Sequence, residues 1–324
     1  MVLYFKKLFL ILFLLTIYSL VNHIVINEIS KNDLKEIKNV NIRQIQIENA
    51  PAKPTKSYFF LKELIRKHNQ KPVIINQELL RKYSKSVRIS PKTLIILIQV
   101  HDRLQNLKSL VQSLSTVKYV NQTLIIFSHD YYNETINSFI NEIKFAPVMQ
   151  IFYPYMLQIY NEQYPGKSKN DCHVNMTLQA AKLSSCANWN FTDVYGFYRD
   201  YNVVQTKLHW LWKMAFVFDE LIYTKSTESL NVLLLEEDFF MFPDALHVFR
   251  ALNNKISNHS NQFVSLSDTY IDNTRPDFQN SSNLYSICRK HLCTSAMVFT
   301  RNLWSIIKEK RDQFCERDDY NWDW

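Results

Sequence analysis

Three carboxylates, Glu236, Glu237 and Asp238, follow directly on the apolar run Val232-Leu233-Leu234-Leu235. Charges placed where a buried strand leaves the core are costly unless a cation meets them, and a divalent metal is a usual partner. A solvated acidic cap is the plainer alternative. The same kind of ending recurs elsewhere: Gln99-Val100 leads into His101-Asp102-Arg103, and Phe127 into Ser128-His129-Asp130. Taken singly, these are ordinary loop polarity. Repeated after successive strands, they put polar groups on the side of a sheet where open α/β folds bind ligands. Gln205 and His209 stand one helical turn apart with Lys207 between them, and a cation near a helix start suits a phosphate. At the far end Asp319 and Asp323 stand four apart, where a helix would put both on one face. Either could act as a general base. Trp322 and Trp324 flank the second and would shield it from water.

The elements that must position these residues are legible in the hydrophobic pattern. Thr93–Val100 reads as a buried strand, and Leu104, Leu107, Leu110, Val111 and Leu114 mark a helix behind it. Leu124–Phe127 reads as a second strand, followed by a helix carrying Ile136, Phe139, Ile140 and Ile143. Strand, helix, strand, helix implies a βαβ unit and a parallel sheet, hence an α/β fold. A long helix is expected over Tyr201–Tyr223. The acidic strand follows it, then a helix near Asp244–Ile256, strands at Phe263–Leu266 and Ala296–Phe299, and a helix over Asn302–Lys310.

Composition narrows the function. The chain has 324 residues, 47% of them apolar, and a net charge of +8 with lysine and arginine scattered along it. No helix-turn-helix, zinc finger or aromatic-basic platform is present, which argues against a nucleic-acid partner. Only two glycines occur, Gly166 and Gly196, so neither a GxGxxG turn nor a P-loop can be built. Any phosphate must be met by side-chain cations and a metal instead.

The first residues have a compartmental reading. Lys6-Lys7 precedes an apolar run from Leu8, and no small-x-small cleavage site follows it. We expect a cytosolic tail over 1–7, a transmembrane signal-anchor over 8–26, and a type II orientation with the bulk of the chain in the lumen. Residues 27–90, polar and punctuated by Pro51, Pro54 and Pro72, suit a stem, and the folded domain is expected from 91 onward. Cys172 and Cys186 enclose a short loop and could pair, as could Cys288 and Cys293, leaving Cys315 over. Sequons at Asn121, Asn133, Asn175, Asn190, Asn258 and Asn280 fit the same oxidising compartment.

Several of these pieces together resemble one family. They are Gln99-Val100-His101-Asp102-Arg103, Phe127-Ser128-His129-Asp130, Tyr198-Arg199, Gln205-Thr206-Lys207, Leu235-Glu236-Glu237-Asp238, Thr300-Arg301-Asn302 and the closing Asp318-Asp319-Tyr320-Asn321-Trp322-Asp323-Trp324. From about Thr93 to its last residue the chain resembles α-1,6-mannosyl-glycoprotein 2-β-N-acetylglucosaminyltransferase, also called N-acetylglucosaminyltransferase II. The resemblance implies a Rossmann-like GT-A domain, a Golgi location and a manganese-dependent inverting transfer. GlcNAc would pass from UDP-GlcNAc to O2 of the α-1,6-arm mannose of an N-glycan on a glycoprotein. It assigns Asp238 to the metal and Asp323 as general base. It lines the nucleotide-sugar site with Gln99, Val100, His101, Asp102, Arg103, Asp130, Gln205, Thr206, Lys207, Leu208, His209 and Arg275.

The chain departs from the family pattern in two places. Asp102 stands where the family usually has Asn, adding a negative charge beside the nucleotide. The family also continues past the final Trp324, supplying a histidine as second metal ligand and cysteine partners for Cys315. The domain 91–324 is therefore expected to be incomplete at its C-terminus. A catalytically impaired Golgi relative that binds nucleotide sugar or glycan without turnover is the alternative reading. A membrane-anchored lectin would need a β-sandwich spacing that the sequence lacks.

Overall fold

In a computed structural model of the chain, the residues described are 56–81, 93–161, 164, 167–193, 195–256, 264–266 and 295–316. All belong to the unit Lys56–Trp324. The expected tail, anchor and first part of the stem lie outside the described residues. Among those described, no helix is long and apolar enough to cross a membrane.

Helix α1 (Lys56–Gln70) and the short α2 (Gln77–Arg81) open the described region. Strand β1 (Leu94–Val100) leads through α3 (Leu104–Thr116) to β2 (Leu124–His129), and α4 (Glu134–Asn141) leads to β3 (Val148–Phe152). A long excursion holds α5 (Leu157–Tyr160), α6 (Leu178–Ser184) and α7 (Tyr201–Ala215), and returns the chain to β4 (Asn231–Glu236). Then come α8 (Ala245–Ile256), β5 (Val264–Ser265), β6 (Met297–Thr300), α9 (Arg301–Lys308) and α10 (Arg311–Glu316).

The six strands form one sheet in the order β3-β2-β1-β4-β6-β5. The first four run parallel, and β6 is antiparallel to both β4 and β5. Strands of this kind need apolar residues on both faces, and β2 and β3 are buried at every position. Alternate side chains serve opposite layers. Ile96, Ile98 and Val100 pack with α3, α4 and α8, whereas Ile95 and Leu97 pack under Trp210 and Met214 of α7. Each fully buried Ile or Leu contributes roughly 2 kcal/mol, so this layering, rather than any one contact, holds the sheet.

Two differences from the sequence reading have clear physical causes. The stretch 56–81, expected within a stem, packs on the sheet edge. Ile65 is buried with Phe152, Tyr153 and Met156. Asn69 donates to the Phe152 carbonyl at 2.6 Å and accepts from its amide at 3.0 Å, closing an edge strand that would otherwise expose unpaired backbone. The helix expected over Tyr201–Tyr223 stops being α-helical at Ala215. A π-helical turn, Phe216–Glu220, follows, and Leu221 N–H donates back to the Phe216 carbonyl at 2.8 Å. Strand β3 went unread because Val148–Phe152 is too short to show a period, and only pairing with β2 defines it.

Candidate active site

Strand order reverses at β1: the chain moves outward through β2 and β3, then returns to lay β4 on the other side. That switch point is where open α/β sheets leave a crevice at the strands' carboxyl ends. The polar strand endings converge there. Gln99 stands in register with Ser128 of β2 and with Glu236 of β4.

Beyond that row, Glu237 and Asp238 meet the residues that follow β1. Glu237 is 1% exposed. Its carboxylate accepts the His101 backbone N–H at 3.0 Å and Arg103 Nε at 2.7 Å. Arg103 Nη1 donates to Asp238 Oδ2 at 2.9 Å. The Asp238 side chain keeps 35% of its surface exposed, so of these two carboxylates only Asp238 faces solvent appreciably. The Glu237 partner raises the Arg103 guanidinium above its ordinary value, with burial opposing.

A second cluster sits on the β2 side. Asp130 is buried; its N–H donates to the Val100 carbonyl at 3.1 Å, and its Oδ1 lies 2.5 Å from His101 Nδ1. His209 of α7 approaches the other oxygen at 3.7 Å, and its Nε2 shares a 2.7 Å hydrogen bond with Ser128 Oγ. Burial pushes the Asp130 carboxyl up, but His101 and His209 outweigh it and hold it below the usual carboxylate range. His101 is correspondingly raised, first by its bond to Asp130. Burial pushes His209 down to about 4 and His129 down to about 3.

Helix α7 carries these contacts because residues four apart share a face. Asp200 caps its start, accepting the Asn202 N–H at 2.9 Å. Gln205, His209 and Lys213 then line up toward the crevice side. Gln205 accepts the Leu157 N–H at 2.6 Å. The Lys213 ammonium, fully buried, donates to Gln99 Oε1. Lys213 was missed by the sequence reading; its spacing from Gln205 and His209 was the available signal.

Not every expected site residue joins this group. Residues 205–209 span more than one helical turn, so they cannot all face one crevice. Lys207 is buried elsewhere, its ammonium 4.7 Å above the Phe314 ring. Leu208 lines a cavity of about 630 Å³ with Tyr153, Tyr160, Tyr164, Trp212 and Trp304, whose lining includes none of Arg103, Asp130, Glu237 and Asp238. Thr206 is half-buried. Val100 turns its side chain into the α3 layer, and its carbonyl accepts the Asp130 N–H. Asp102 is exposed, 3.9 Å from His101 Nε2. Arg275, Asp319 and Asp323 lie outside the described residues, as do Cys288 and Cys293. Cys172 and Cys186 are joined as a disulfide with Cα atoms 5.1 Å apart, and Cys315 has no such partner among the described residues.

Two of the family-like motifs prove architectural. The Tyr198 hydroxyl donates to the Trp189 carbonyl at 2.7 Å. Arg301 donates to the carbonyls of Thr227 at 2.7 Å, Phe218 at 2.9 Å and Thr224 at 2.8 Å, pinning the exit from the π turn to the start of α9.

No group of three or more His, Cys, Asp or Glu suited to a metal is assembled among the described residues. Asp238 nonetheless offers a hard oxygen donor at the crevice mouth. One carboxylate plus ligand phosphates is a common way to hold a Mg²⁺-like ion, so the residues present fit such a cation as a partner to a diphosphate.

Fold and crevice together define an α/β domain with a polar, carboxylate-rich crevice at its switch point. Within that class, the chain belongs to the N-acetylglucosaminyltransferase II (MGAT2) family, whose model matches residues 62–324. The α-1,6-mannosyl-glycoprotein 2-β-N-acetylglucosaminyltransferase of Homo sapiens is 32% identical over 259 residues, covering 76% of this chain and 55% of that one. Its counterpart in Sus scrofa is 34% identical over 239 residues, 72% of this chain and 52% of that one. The Arabidopsis thaliana counterpart is 36% identical over 231 residues, 71% and 51%. The chain thus spans about half the length of the curated relatives it matches. Among solved structures, that of S. aureus TarS 1–349 aligns over 67% of this chain and 49% of that one, with 10% identity and a TM-score of 0.33, too slight to carry an argument.

Proposed function

We propose that this chain is a GT-A glycosyltransferase that moves GlcNAc from UDP-GlcNAc to O2 of the α-1,6-arm mannose of a glycoprotein N-glycan, with inversion, to give a β-1,2 linkage. The observation that carries the reading is the meeting of Arg103, Glu237 and Asp238 at the switch point between β1 and β4. It supports an anionic ligand held by a cation, in a chain without the glycines for a phosphate loop.

Each residue has a definite task. Asp238 is the carboxylate available to a divalent cation, manganese in this family's pattern. When bound, that cation offsets the negative charge that develops on the departing diphosphate. Arg103 gives a second positive group beside it. Glu237 anchors Arg103 and the His101 amide, so its work is to orient. Asp130, hydrogen-bonded by His101 and with His209 beside it, holds the β2 side of the crevice. Asp323 takes the proton from the mannose O2 as that oxygen attacks, which requires it to come within hydrogen-bond reach. The family resemblance adds Arg275 as a further cation for the nucleotide sugar.

The same reading makes the protein a type II Golgi membrane protein, with residues 8–26 as its anchor and the catalytic domain in the lumen. The apolar run from Leu8 behind Lys6-Lys7 supports this.

The deciding experiment incubates the purified protein with UDP-GlcNAc, Mn²⁺ and a glycan whose α-1,6-arm mannose is free at O2. Release of UDP and gain of one β-1,2-linked GlcNAc are expected. A protein that binds UDP-GlcNAc but transfers nothing would instead be the impaired relative. One that does neither would end the proposal.

A further inference from the structure

The last register row that β2, β1 and β4 share is polar: Ser128, Gln99 and Glu236 lie side by side. Two residues earlier, the matching row is Ile126, Leu97 and Leu234, all buried. A single step along three strands therefore converts an apolar layer into a polar one, and α7 lies over both. It meets the apolar row with Trp210 and Met214, and the polar row with His209 and Lys213.

Lys213 is the unexpected member. Its side chain is fully buried, and its ammonium donates to Gln99 Oε1. Burial pushes the Lys213 ammonium down to about 7, and the nearby carboxylates of Glu236 and Asp130 oppose that fall. A buried lysine without such partners would be among the most costly groups in the fold. An ammonium has donors only, so it must take the amide's oxygen and leave the amide's NH₂ facing the other way.

We propose that Lys213 is a positioning residue: it locks Gln99 so that the crevice is offered an NH₂ donor and never the amide oxygen. The matching ligand group is an oxygen acceptor without a hydrogen, such as a pyrimidine carbonyl or a diphosphate oxygen. The inference rests on the reading of the crevice as the UDP-GlcNAc site, and extends it to a residue that does not itself touch the ligand.

The test compares wild type, Lys213→Met, Gln99→Glu and Gln99→Met by calorimetric titration with UDP-GlcNAc and Mn²⁺, with a melting curve for each. Gln99→Glu can still accept from Lys213 but has no NH₂ to donate, so it should keep its melting temperature and lose affinity by about 10-fold or more, the scale of one hydrogen bond to a charged or well-ordered group. Lys213→Met should lose affinity to a similar extent. Combining it with Gln99→Met should add little further loss, because both act through one amide. Should Lys213→Met fail to fold, Gln99→Glu decides alone. Wild-type affinity in Gln99→Glu, or strictly additive losses in the double variant, would overturn the positioning role while leaving the crevice assignment standing. A wild type that does not bind UDP-GlcNAc overturns both.

Discussion

Arg103 Nε lies 2.7 Å from Glu237 Oε1, joining the end of β1 to the end of β4 across the switch point. Glu237 is buried, whereas Arg103 is about half exposed, so the pair is anchored on the carboxylate side. The same guanidinium reaches Asp238 with its other arm. One cation thus holds two adjacent acids that differ in what else they can do: Glu237 is enclosed, and Asp238 is open to solvent.

This difference predicts opposite outcomes for two conservative changes. Asp238→Asn should leave the melting temperature near that of wild type and nearly abolish transfer, because the cation loses its protein ligand. Glu237→Gln should lower stability by about 2 kcal/mol or more, since a buried charge-assisted pair is broken on one side. Melting curves and transfer assays on both proteins check this, with chelator expected to reproduce the Asp238→Asn loss. Full activity in chelator would exclude a metal-assisted step.

A base and a structural acid should separate at the end of the chain. Asp323→Asn should lower kcat by roughly 10²-fold or more while UDP and Mn²⁺ still bind, the usual loss when general acid–base catalysis is removed. Asp319→Asn should cost stability more than rate. The reverse pattern in a kcat and melting comparison would mean that the wrong carboxylate carries the proton.

Acid should weaken the fold through its buried imidazoles. His209 and His129 are held near 4 and 3 against an ordinary 6.5, so both stay neutral in the native state while the unfolded chain takes up protons below about pH 6.5. The unfolded state then binds more protons, and stability falls as pH falls, by up to about 1.4 kcal/mol per pH unit for each imidazole. Asp130, held below the usual carboxylate range, acts in the same direction at lower pH. Urea midpoints measured from pH 7 to pH 4.5 should decline, and His129→Phe should flatten the decline. A flat profile in the wild type would contradict the buried, neutral assignment.

Arg301 should matter for stability alone. Its three carbonyl bonds tie α9 to the π turn and the segment after it, at the opposite end of β4 from the acidic crevice. Arg301→Met should cost about 3 kcal/mol or more, because three buried carbonyls lose a charged donor. KM for UDP-GlcNAc should not change at temperatures where the variant is folded. A raised KM without lost stability would place Arg301 in the site instead.

Much of this protein was decided locally. Leu94–Val100, Leu124–His129 and Asn231–Glu236 carry enough consecutive apolar residues to declare buried strands, and the polar residues that end them mark the crevice without knowledge of pairing. The acidic trio, the missing glycines and the paired cysteines are likewise properties of the chain itself. Three-dimensional packing decided what has no local signature. Only strand order made neighbours of Arg103 and Glu237, 134 residues apart. The resemblance singled out Asp238 for the metal, but only burial showed Glu237 enclosed and Asp238 open. Lys207 and Lys213 look alike in sequence, yet one lies over the Phe314 ring and the other under Gln99. The reason is geometric: a helix turns about 100° per residue. Six positions therefore carry a side chain from one wall of the domain to another, and which wall holds the ligand is a property of the sheet beneath.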